Sequence, residues 1–377
     1  MLEFINKELD DLKRSGLHRS LKTIEKISGA RITIDGKELI NFCSNDYLGL
    51  SQHPKVKEKA IEIIKEFGFG AGASRLISGN TIIHAELEKK IARLKKREAA
   101  VIFPTGYMAN LGAITSLVDE NDTVIIDRLN HASIIDACRL SKAKLQVYPH
   151  KDTQALEKIL QRSGKSRRRL IVTDAVFSMD GDIALVKQIV ELGKKYDAMT
   201  MADYAHATGV VEIDGEPDVV MGTLSKAVGS LGGFIAGSAE LVDHLRNKAR
   251  SFIYTTALPP AACAASLAAL EIIESEPELI RNLRMNSRFL REIIGNRYVQ
   301  SQVSAIIPIL IGDANQTMEI SKKLFERGIF LSGIRPPTVP EGECRLRLTV
   351  TAIHTKEDLA CLASSLQELI PAAAKLS

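Results

Sequence analysis

Seven short apolar runs alternate with helical patterns between about Glu98 and Ala236. The runs are AAVIF, TVIID, KLQVY, RLIVTD, AMTMAD, DVVMGT and GGFIA. They lack a regular alternation of apolar and polar residues, which is typical of strands buried on both faces of a parallel sheet. The pattern predicts an α/β fold with a mostly parallel sheet flanked by helices. In such sheets, ligands bind beyond the carboxyl ends of the strands.

The segments on either side of this region carry different patterns. Upstream, RITIDGKELINF contains two strand-like runs joined by Asp35-Gly36, a pair that favours a type I′ hairpin turn. Downstream of about Arg281, a helix precedes the run AIIPILI, the helix QTMEISKKLFERG and the run CRLRLTV. We therefore predict an N-terminal helix and β-hairpin segment over 1–45, a large α/β domain over 46–280 and a small α+β C-terminal domain over 281–377. The C-terminal domain is expected to pack with the N-terminal segment.

Charge, cysteines and hydropathy narrow the class of protein. Lys and Arg total 50 against 46 for Asp and Glu, so the balance does not indicate a nucleic-acid binder. The five cysteines are scattered and form no CxxC pair, which favours a reducing, cytoplasmic setting. The N-terminus lacks the apolar segment of a signal peptide, and prolines interrupt the longest apolar stretch, Ala257 to Leu270. We expect no membrane span.

The first candidate for chemistry is Lys226, in TLSKAVGSLGG directly after the run DVVMGT. An isolated lysine is usually a solvated surface charge. At the end of a buried strand, with small residues around it, a lysine can be partly desolvated, so that its amine becomes nucleophilic. Schiff-base chemistry requires such an amine.

A second constellation follows the run AMTMAD, where Asp203 and His206 lie three residues apart in DYAHATG. An acidic helix cap with a structural histidine explains the pair equally well. In the functional interpretation, the carboxylate pairs with a protonated pyridine nitrogen and the histidine binds the phenolic oxygen of the same ring. Neither role needs a metal.

Three further motifs follow strands. His131 in DRLNHASIID has small neighbours and could stack on a flat ring, although a lone histidine is more often structural. In FPTGYMAN, Gly106 and Tyr107 could offer backbone N–H groups and a helix dipole to a phosphate, or form a generic turn. VTDAVFSMDGD adds Ser178.

Taken together, the motifs resemble one family. SNDYLGL, FPTGYMAN, NHASIID, VFSMDGD, DYAHATG, TLSKAVG and IYTTALPP occur in this order over nearly the whole chain. Together they resemble the α-oxoamine synthase family of fold-type I pyridoxal-phosphate enzymes, which have a large α/β cofactor-binding domain and a smaller α+β domain.

The resemblance implies that the chain binds pyridoxal 5′-phosphate, carried by Lys226 as a Schiff base. It implies three further catalytic residues: His131 stacked on the ring, Asp203 paired with the pyridine nitrogen and His206 near the phenolic oxygen. The other implied cofactor contacts, to the phenolic oxygen and the phosphate, are Ser178, Gly106, Tyr107, Thr223, Thr255 and Thr256. The last two are expected to reach a neighbouring subunit's phosphate, which implies a homodimer with shared active sites.

On the substrate side, the resemblance implies contacts from Arg19, Asn45, His131, Arg335 and Thr338. Arg335 is expected to hold the amino acid's carboxylate, since a guanidinium group suits a bidentate pair; a surface salt bridge is the alternative. Two basic segments, KSRRR at 165–169 and RNKAR at 246–250, could attract the anionic groups of coenzyme A or form solvated faces.

Three positions depart from the family pattern. Asp174 stands where the family usually has Glu, Tyr204 where it usually has an acid, and Ala207 where Gly or Ser is common. The departures leave the implied catalytic groups intact. They put in doubt any contact that the longer Glu would make near the cofactor.

Within the family, the segment from Ile334 to Thr355, IRPPTVPEGECRLRLTVTAIHT, is most similar to the member that acts in biotin synthesis. This implies a decarboxylative condensation of L-alanine with pimeloyl-CoA or a pimeloyl carrier protein. Other α-oxoamine synthases, such as glycine C-acetyltransferase, share the chemistry with different substrates. An aminotransferase of the same fold and a non-catalytic anion-binding protein are more distant alternatives.

Overall fold

The computed structural model describes residues 3–295 and 304–370, which form two compact units. The first comprises Met1–Gly49, Met179–Gly181 and Arg281–Ser377, and the second comprises Leu50–Ser178 and Asp182–Ile280. The three-segment division of the sequence stays a prediction.

Strands and helices are numbered along the chain. The strands are β1 Lys26–Ser28, β2 Arg31–Ile34, β3 Lys37–Asn41, β4 Ala99–Phe103, β5 Thr123–Asp127, β6 Lys144–Tyr148, β7 Arg169–Asp174, β8 Met199–Asp203, β9 Val219–Thr223, β10 Gly233–Gly237, β11 Ile306–Gly312, β12 Ile329–Phe330, β13 Gly333–Ile334 and β14 Cys344–Thr349. The helices are α1 Glu3–Arg14, α2 Pro54–Phe67, α3 Ile82–Leu94, α4 Gly106–Leu117, α5 Ala132–Ser141, α6 Thr153–Arg162, α7 Val186–Lys195, α8 Ala239–Lys248, α9 Arg250–Ile253, α10 Pro260–Ser275, α11 Glu278–Ile294, α12 Ala314–Glu326 and α13 Lys356–Leu369.

The second unit is built on a seven-stranded sheet of order β4-β10-β9-β8-β7-β5-β6. Strand β10 runs antiparallel to both neighbours, and the pairs from β9 to β6 are parallel. Each of the seven strands falls on a run predicted from the sequence. The predicted α/β fold with a mostly parallel sheet is therefore confirmed.

Burial on both faces explains why these runs lack alternation. In β5, Val124 and Ile126 join a core that includes Ile134 of α5, whereas Ile125 packs in a second core with Leu156 of α6. The middle of such a strand is apolar on both faces, because fully burying one aliphatic side chain stabilises the fold by about 1.5–3 kcal/mol.

The first unit joins the two ends of the described chain. β2 and β3 form the predicted hairpin, and both turn residues, Asp35 and Gly36, have the positive φ that a type I′ turn requires. β3 also pairs in parallel with β12, in the register Ile40↔Ile329. A second sheet has the order β11-β14-β13. α1 is a surface helix, as predicted, and buries none of its residues.

Candidate active site

The carboxyl ends of the parallel strands gather the polar residues of the second unit. β5 ends at Asp127, β7 at Asp174, β8 at Asp203 and β9 at Thr223. Asp174 and Asp203 lie side by side in register, and both are buried. Since parallel strands end on a common edge, residues distant in sequence meet there.

Lys226 lies in the loop between β9 and β10, and its Nζ is 2.9 Å from Nε2 of His206. His206 follows β8 and is buried, whereas Lys226 is partly accessible. The loop is closed by hydrogen bonds from Leu224 N–H to the Gly232 carbonyl (2.9 Å) and from Gly229 N–H to the Lys226 carbonyl (2.8 Å). The structure therefore brings together two of the residues predicted to be catalytic.

The Asp203 carboxylate is held by two donors. Asn110 Nδ2 donates to Oδ2 at 2.9 Å, and Ala205 N–H donates to Oδ1 at 2.8 Å. Asn110 lies on α4 and also donates to Ser133 Oγ at 2.9 Å. Asn110 and Ser133 were missed as site residues in the sequence analysis, although both lie in the quoted motifs.

His131 is the N-cap of α5 and is exposed. Its Nδ1 is 2.7 Å from Ser133 Oγ, and its backbone N–H donates to Asp174 Oδ2 at 2.8 Å. Desolvation of the ring lowers the pKa of His131, while the charge of Asp203 acts in the opposite direction. An exposed imidazole could stack on a flat ring.

The first turn of α4 lies close to the end of β9. A Cβ on Gly106 would lie 3.1 Å from Cε of Met221 and 3.5 Å from the Thr223 side chain, so a larger residue would crowd Met221. Thr105 caps the helix by accepting a hydrogen bond from Met108 N–H at 3.1 Å. The exposed N–H groups and dipole of a helix N-terminus favour an anion. Tyr107 donates to Asp136 at 2.6 Å.

The other predicted cofactor contacts lie in separate segments. Ser178 is half-buried beyond the end of β7, and Thr223 Oγ1 donates to the Gly232 carbonyl at 2.9 Å. Thr255 and Thr256 follow α9, where the Thr255 hydroxyl donates to the Thr256 carbonyl at 3.5 Å. Their reach to a neighbouring subunit stays a prediction.

Four of the five predicted substrate contacts, Arg19, Asn45, Arg335 and Thr338, lie in the first unit, and His131 lies in the second. Arg335 is buried; its Nη2 donates to the His18 carbonyl at 2.5 Å, and burial lowers its pKa. Arg19 Nη2 donates to the Pro336 carbonyl at 2.9 Å. The N–H of Thr338 donates to the Arg335 carbonyl at 3.1 Å. These bonds place Arg19, Arg335 and Thr338 together within one unit.

Asn45 belongs to a different group in the same unit. Its Oδ1 accepts from Arg347 Nη1 at 3.1 Å and from the Tyr47 hydroxyl at 3.3 Å. Arg347 is a buried residue of β14 that was not identified from the sequence.

The departures from the family pattern have different surroundings. Asp174 contacts His131 as described. Tyr204 is buried, and the Lys95 amine lies 4.9 Å from the centre of its ring. Ala207 is buried and donates its N–H to the Tyr204 carbonyl at 2.9 Å. Asp174 therefore hydrogen-bonds a residue that the sequence analysis proposed as catalytic.

The two basic segments lie elsewhere. KSRRR precedes and enters β7, at the amino end of the strand whose carboxyl end carries Asp174. In RNKAR, Arg246 Nη2 bonds Glu88 at 3.0 Å. The position of KSRRR, at the edge of the sheet opposite Lys226, does not support a role in binding coenzyme A at this site.

Within the described ranges, no group of three or more His, Cys, Asp or Glu side chains could hold a metal ion. Across those same ranges, the helices are too short or too polar to cross a membrane.

Comparison with known proteins identifies the class to which this fold and site correspond. Residues 37–366 match the family model described as aminotransferase class I and II, and the chain belongs to this family. Its relatives include 8-amino-7-oxononanoate synthase of Thermoanaerobacter pseudethanolicus, which is 47% identical over 372 residues, or 95% of this chain and 94% of the relative.

Two solved structures show the same fold. One is serine palmitoyltransferase of S. paucimobilis with a bound pyridoxal phosphate–myriocin adduct, with a TM-score of 0.91 and 30% identity over 98% of this chain and 97% of that chain. The other is 8-amino-7-oxononanoate synthase of Francisella tularensis, with a TM-score of 0.74 and 29% identity over 88% and 96%. The predicted resemblance to the α-oxoamine synthases is confirmed.

Proposed function

We propose that the chain condenses L-alanine with a pimeloyl thioester and releases carbon dioxide and free thiol, giving 8-amino-7-oxononanoate for biotin synthesis. The observation that carries this proposal is the Lys226–His206 pair, 2.9 Å apart at the strand edge that also carries Asp203. The choice of substrates is supported by identity, which is 47% to an 8-amino-7-oxononanoate synthase and 30% to a serine palmitoyltransferase.

The site fits pyridoxal 5′-phosphate, the cofactor of this family. The Lys226 amine would bind its aldehyde, Asp203 would pair with its ring nitrogen, and the exposed His131 would stack on its ring. The first turn of α4 and Thr223 would hold its phosphate. When bound, the cofactor supplies an electron sink for charge that develops on the α-carbon of an amino acid. The capped N-terminus of α4 at Gly106 and the buried Asp203 carboxylate are the features that support this fit.

The side chains of the site have separate roles in the reaction. The Lys226 amine is the group that removes a proton from the amino acid α-carbon, and His206 Nε2 holds this amine in place. Asn110 and Ala205 fix the Asp203 carboxylate, so that its charge does not reorient during the reaction. Ser133 and Asp174 fix His131 at its ring and its backbone.

The substrate contacts remain proposals of the same kind. We assign the amino acid's carboxylate to Arg335 and a supporting basic role to Arg19, with Thr338 and Asn45 as further contacts. Among the described residues, the buried Nε of Arg335 has no hydrogen-bond partner. An isolated buried donor is costly, and an anionic ligand would satisfy it.

A homodimer is the assembly that we propose. Phe69, Leu76, Ile77 and Tyr254 are large apolar side chains that are more than half exposed. A hydrogen bond from Ala257 N–H to the Ala73 carbonyl at 3.0 Å joins the two segments that carry them. Contiguous exposed apolar surface marks a protein interface. Sedimentation should show a dimer that Ile77→Ser weakens and the exposed control Leu140→Ser leaves intact.

Location in the cytoplasm is part of the same proposal. It rests on the five cysteines, all of which have free thiols, since reducing compartments keep thiols unpaired.

The decisive assay is thiol release from pimeloyl-CoA with alanine, glycine or serine, repeated with acetyl-CoA and palmitoyl-CoA. We expect the alanine and pimeloyl-CoA pair to give the highest kcat/KM. A preference for glycine with acetyl-CoA would instead identify a glycine C-acetyltransferase. Exchange of the amino group with a keto acid and no thiol release would identify an aminotransferase.

The lysine assignment has its own test. The purified protein should be yellow, and borohydride should bleach its visible band. Lys226→Ala should lack this band, while the exposed control Lys248→Ala should keep it. A band that survives in Lys226→Ala would contradict the assignment.

A further inference from the structure

His150 lies just beyond β6, and both of its ring nitrogens face carboxylates. Nδ1 is 3.0 Å from Asp127 Oδ1, and Nε2 is 3.0 Å from Asp182 Oδ2. A neutral imidazole has one N–H, so one carboxylate would face a lone pair. The doubly protonated ring donates to both oxygens. The geometry is therefore that of a cation that bridges two acidic groups.

The Asp127 carboxylate is held in place by several hydrogen bonds. Asp127 ends β5 and is buried, and its oxygens also accept from Leu129 N–H and Lys151 N–H, each at 2.9 Å. Three donors on a buried carboxylate at the end of a central strand leave it little freedom to move.

The other carboxylate belongs to a short hairpin. Val176 and Ile183 form an antiparallel bridge, and Phe177 N–H donates to the Asp182 carbonyl at 3.0 Å. The His150 ring also meets the ring of Phe177 edge-on, with centroids 4.4 Å apart. His150 thus touches both arms of the hairpin, and Ser178 is the residue that directly follows Phe177.

We propose that His150 is a positioning residue, which clamps the hairpin Val176–Ile183 to the end of β5 and so fixes Ser178 for the reaction. The role of Ser178 rests on the proposed function, whereas the clamp itself does not. The ring does not need to contact the substrate or the cofactor.

Three charged groups face this ring: Asp127 from β5, Asp182 from the hairpin and Lys151 from the same turn. Burial alone would lower the pKa of His150, but the hydrogen bonds to Asp127 and Asp182 outweigh it and raise the pKa to about 9. Lys151 Nζ also bonds Asp182, at 2.9 Å. The Lys151 side chain thus contacts one of the two carboxylates, whereas the His150 ring contacts both. Lys151 is therefore the matched control.

Hydrogen exchange on the cofactor-free chain tests the clamp directly. In His150→Gln, we expect the amides of 175–184 to exchange at least about tenfold faster, whereas Lys151→Gln should change them less than about twofold. In the parent, protection of this segment should fall as the pH rises past about 9. In His150→Gln, the protection of this segment should not fall as the pH rises past about 9.

The loaded enzyme gives a second readout. If Ser178 is displaced, the visible band of bound pyridoxal phosphate should shift in His150→Gln, and kcat should fall about tenfold while KM for the acyl thioester stays constant. Unchanged protection of 175–184 in His150→Gln would overturn the proposal. So would an even rise in exchange over the whole second unit, because that pattern marks general destabilisation. Since the exchange measurement uses no substrate, failure of the proposed reaction would not affect it.

Discussion

The Asp174 carboxylate accepts the backbone N–H of His131 at 2.8 Å and lies beside Asp203 in the sheet. Burial, and secondly the charge of Asp203, raise the pKa of Asp174 well above its ordinary value. A second charge beside Asp203 is unfavourable, so ionisation of Asp174 is disfavoured.

Asp174→Asn should stabilise the cofactor-free chain at high pH. Because the pKa of Asp174 is raised in the folded state, this residue costs stability increasingly as the pH rises above about 4. Asn keeps the acceptor for His131 without this cost. We expect a gain of about 1–2 kcal/mol at pH 8 and none near pH 4, measured by urea unfolding.

Asp174→Ala is the contrasting variant. It leaves the His131 N–H without its acceptor, which should cost about 1–3 kcal/mol and weaken cofactor binding. Equal stability of the Ala and Asn variants would show that this hydrogen bond contributes little.

Glu88→Gln should be strongly destabilising. The buried Glu88 carboxylate accepts from Arg75 and Arg246, each at 3.0 Å, and from Ile102 N–H at 3.1 Å. A neutral amide would leave two guanidinium groups without their counter-charge, which should cost about 3 kcal/mol. Equilibrium unfolding by urea is the measurement, with exposed Glu86→Gln as the control.

Lys95→Met should be stabilising at neutral pH. Burial lowers the pKa of Lys95 to about 8, and the rings of Tyr204 and Phe234, at 4.9 and 5.8 Å, are its aromatic neighbours. The cost of this lysine is full below pH 8 and disappears as the pH rises to about 10.5. We expect a gain of about 2 kcal/mol at pH 7, and less than about 0.5 kcal/mol for exposed Lys89→Met. A gain that persists at pH 10.5 would point to packing instead of charge.

His354 should make the chain sensitive to acid. Its Nδ1 accepts from Thr351 N–H at 2.9 Å, its Nε2 is 3.1 Å from the Asn41 carbonyl, and its ring stacks on Phe42 at 4.3 Å. Burial lowers its pKa to about 4. Because the unfolded chain binds this proton more readily, stability should fall as the pH drops from about 6.5 to 4. His354→Gln, which can accept and donate without charge, should flatten that slope in thermal unfolding scans.

The elements that the sequence predicted best are those with a purely local signal. Strands of the large sheet were recognisable because burial on two faces makes the middle of a run such as RLIVTD apolar. The Asp35-Gly36 turn was recognisable because few residues adopt positive φ. By contrast, β1 was missed, since it is only three residues long with no buried side chain.

The residues of the site also differ in how well the sequence predicts them. Lys226, Asp203 and His131 follow strands, and the rule that parallel strands end on one edge predicts that they meet. Asn110 lies within a helix, and its contact with Asp203 depends on the strand order, which the sequence does not reveal. His150 was missed because its second partner, Asp182, is distant in the chain.

Two backbone hydrogen bonds close the loop that carries Lys226. One joins Leu224 and Gly232, and the other joins Lys226 and Gly229. These bonds restrain the loop backbone, so the amine can move by rotation about its own side-chain bonds without a rearrangement of the loop.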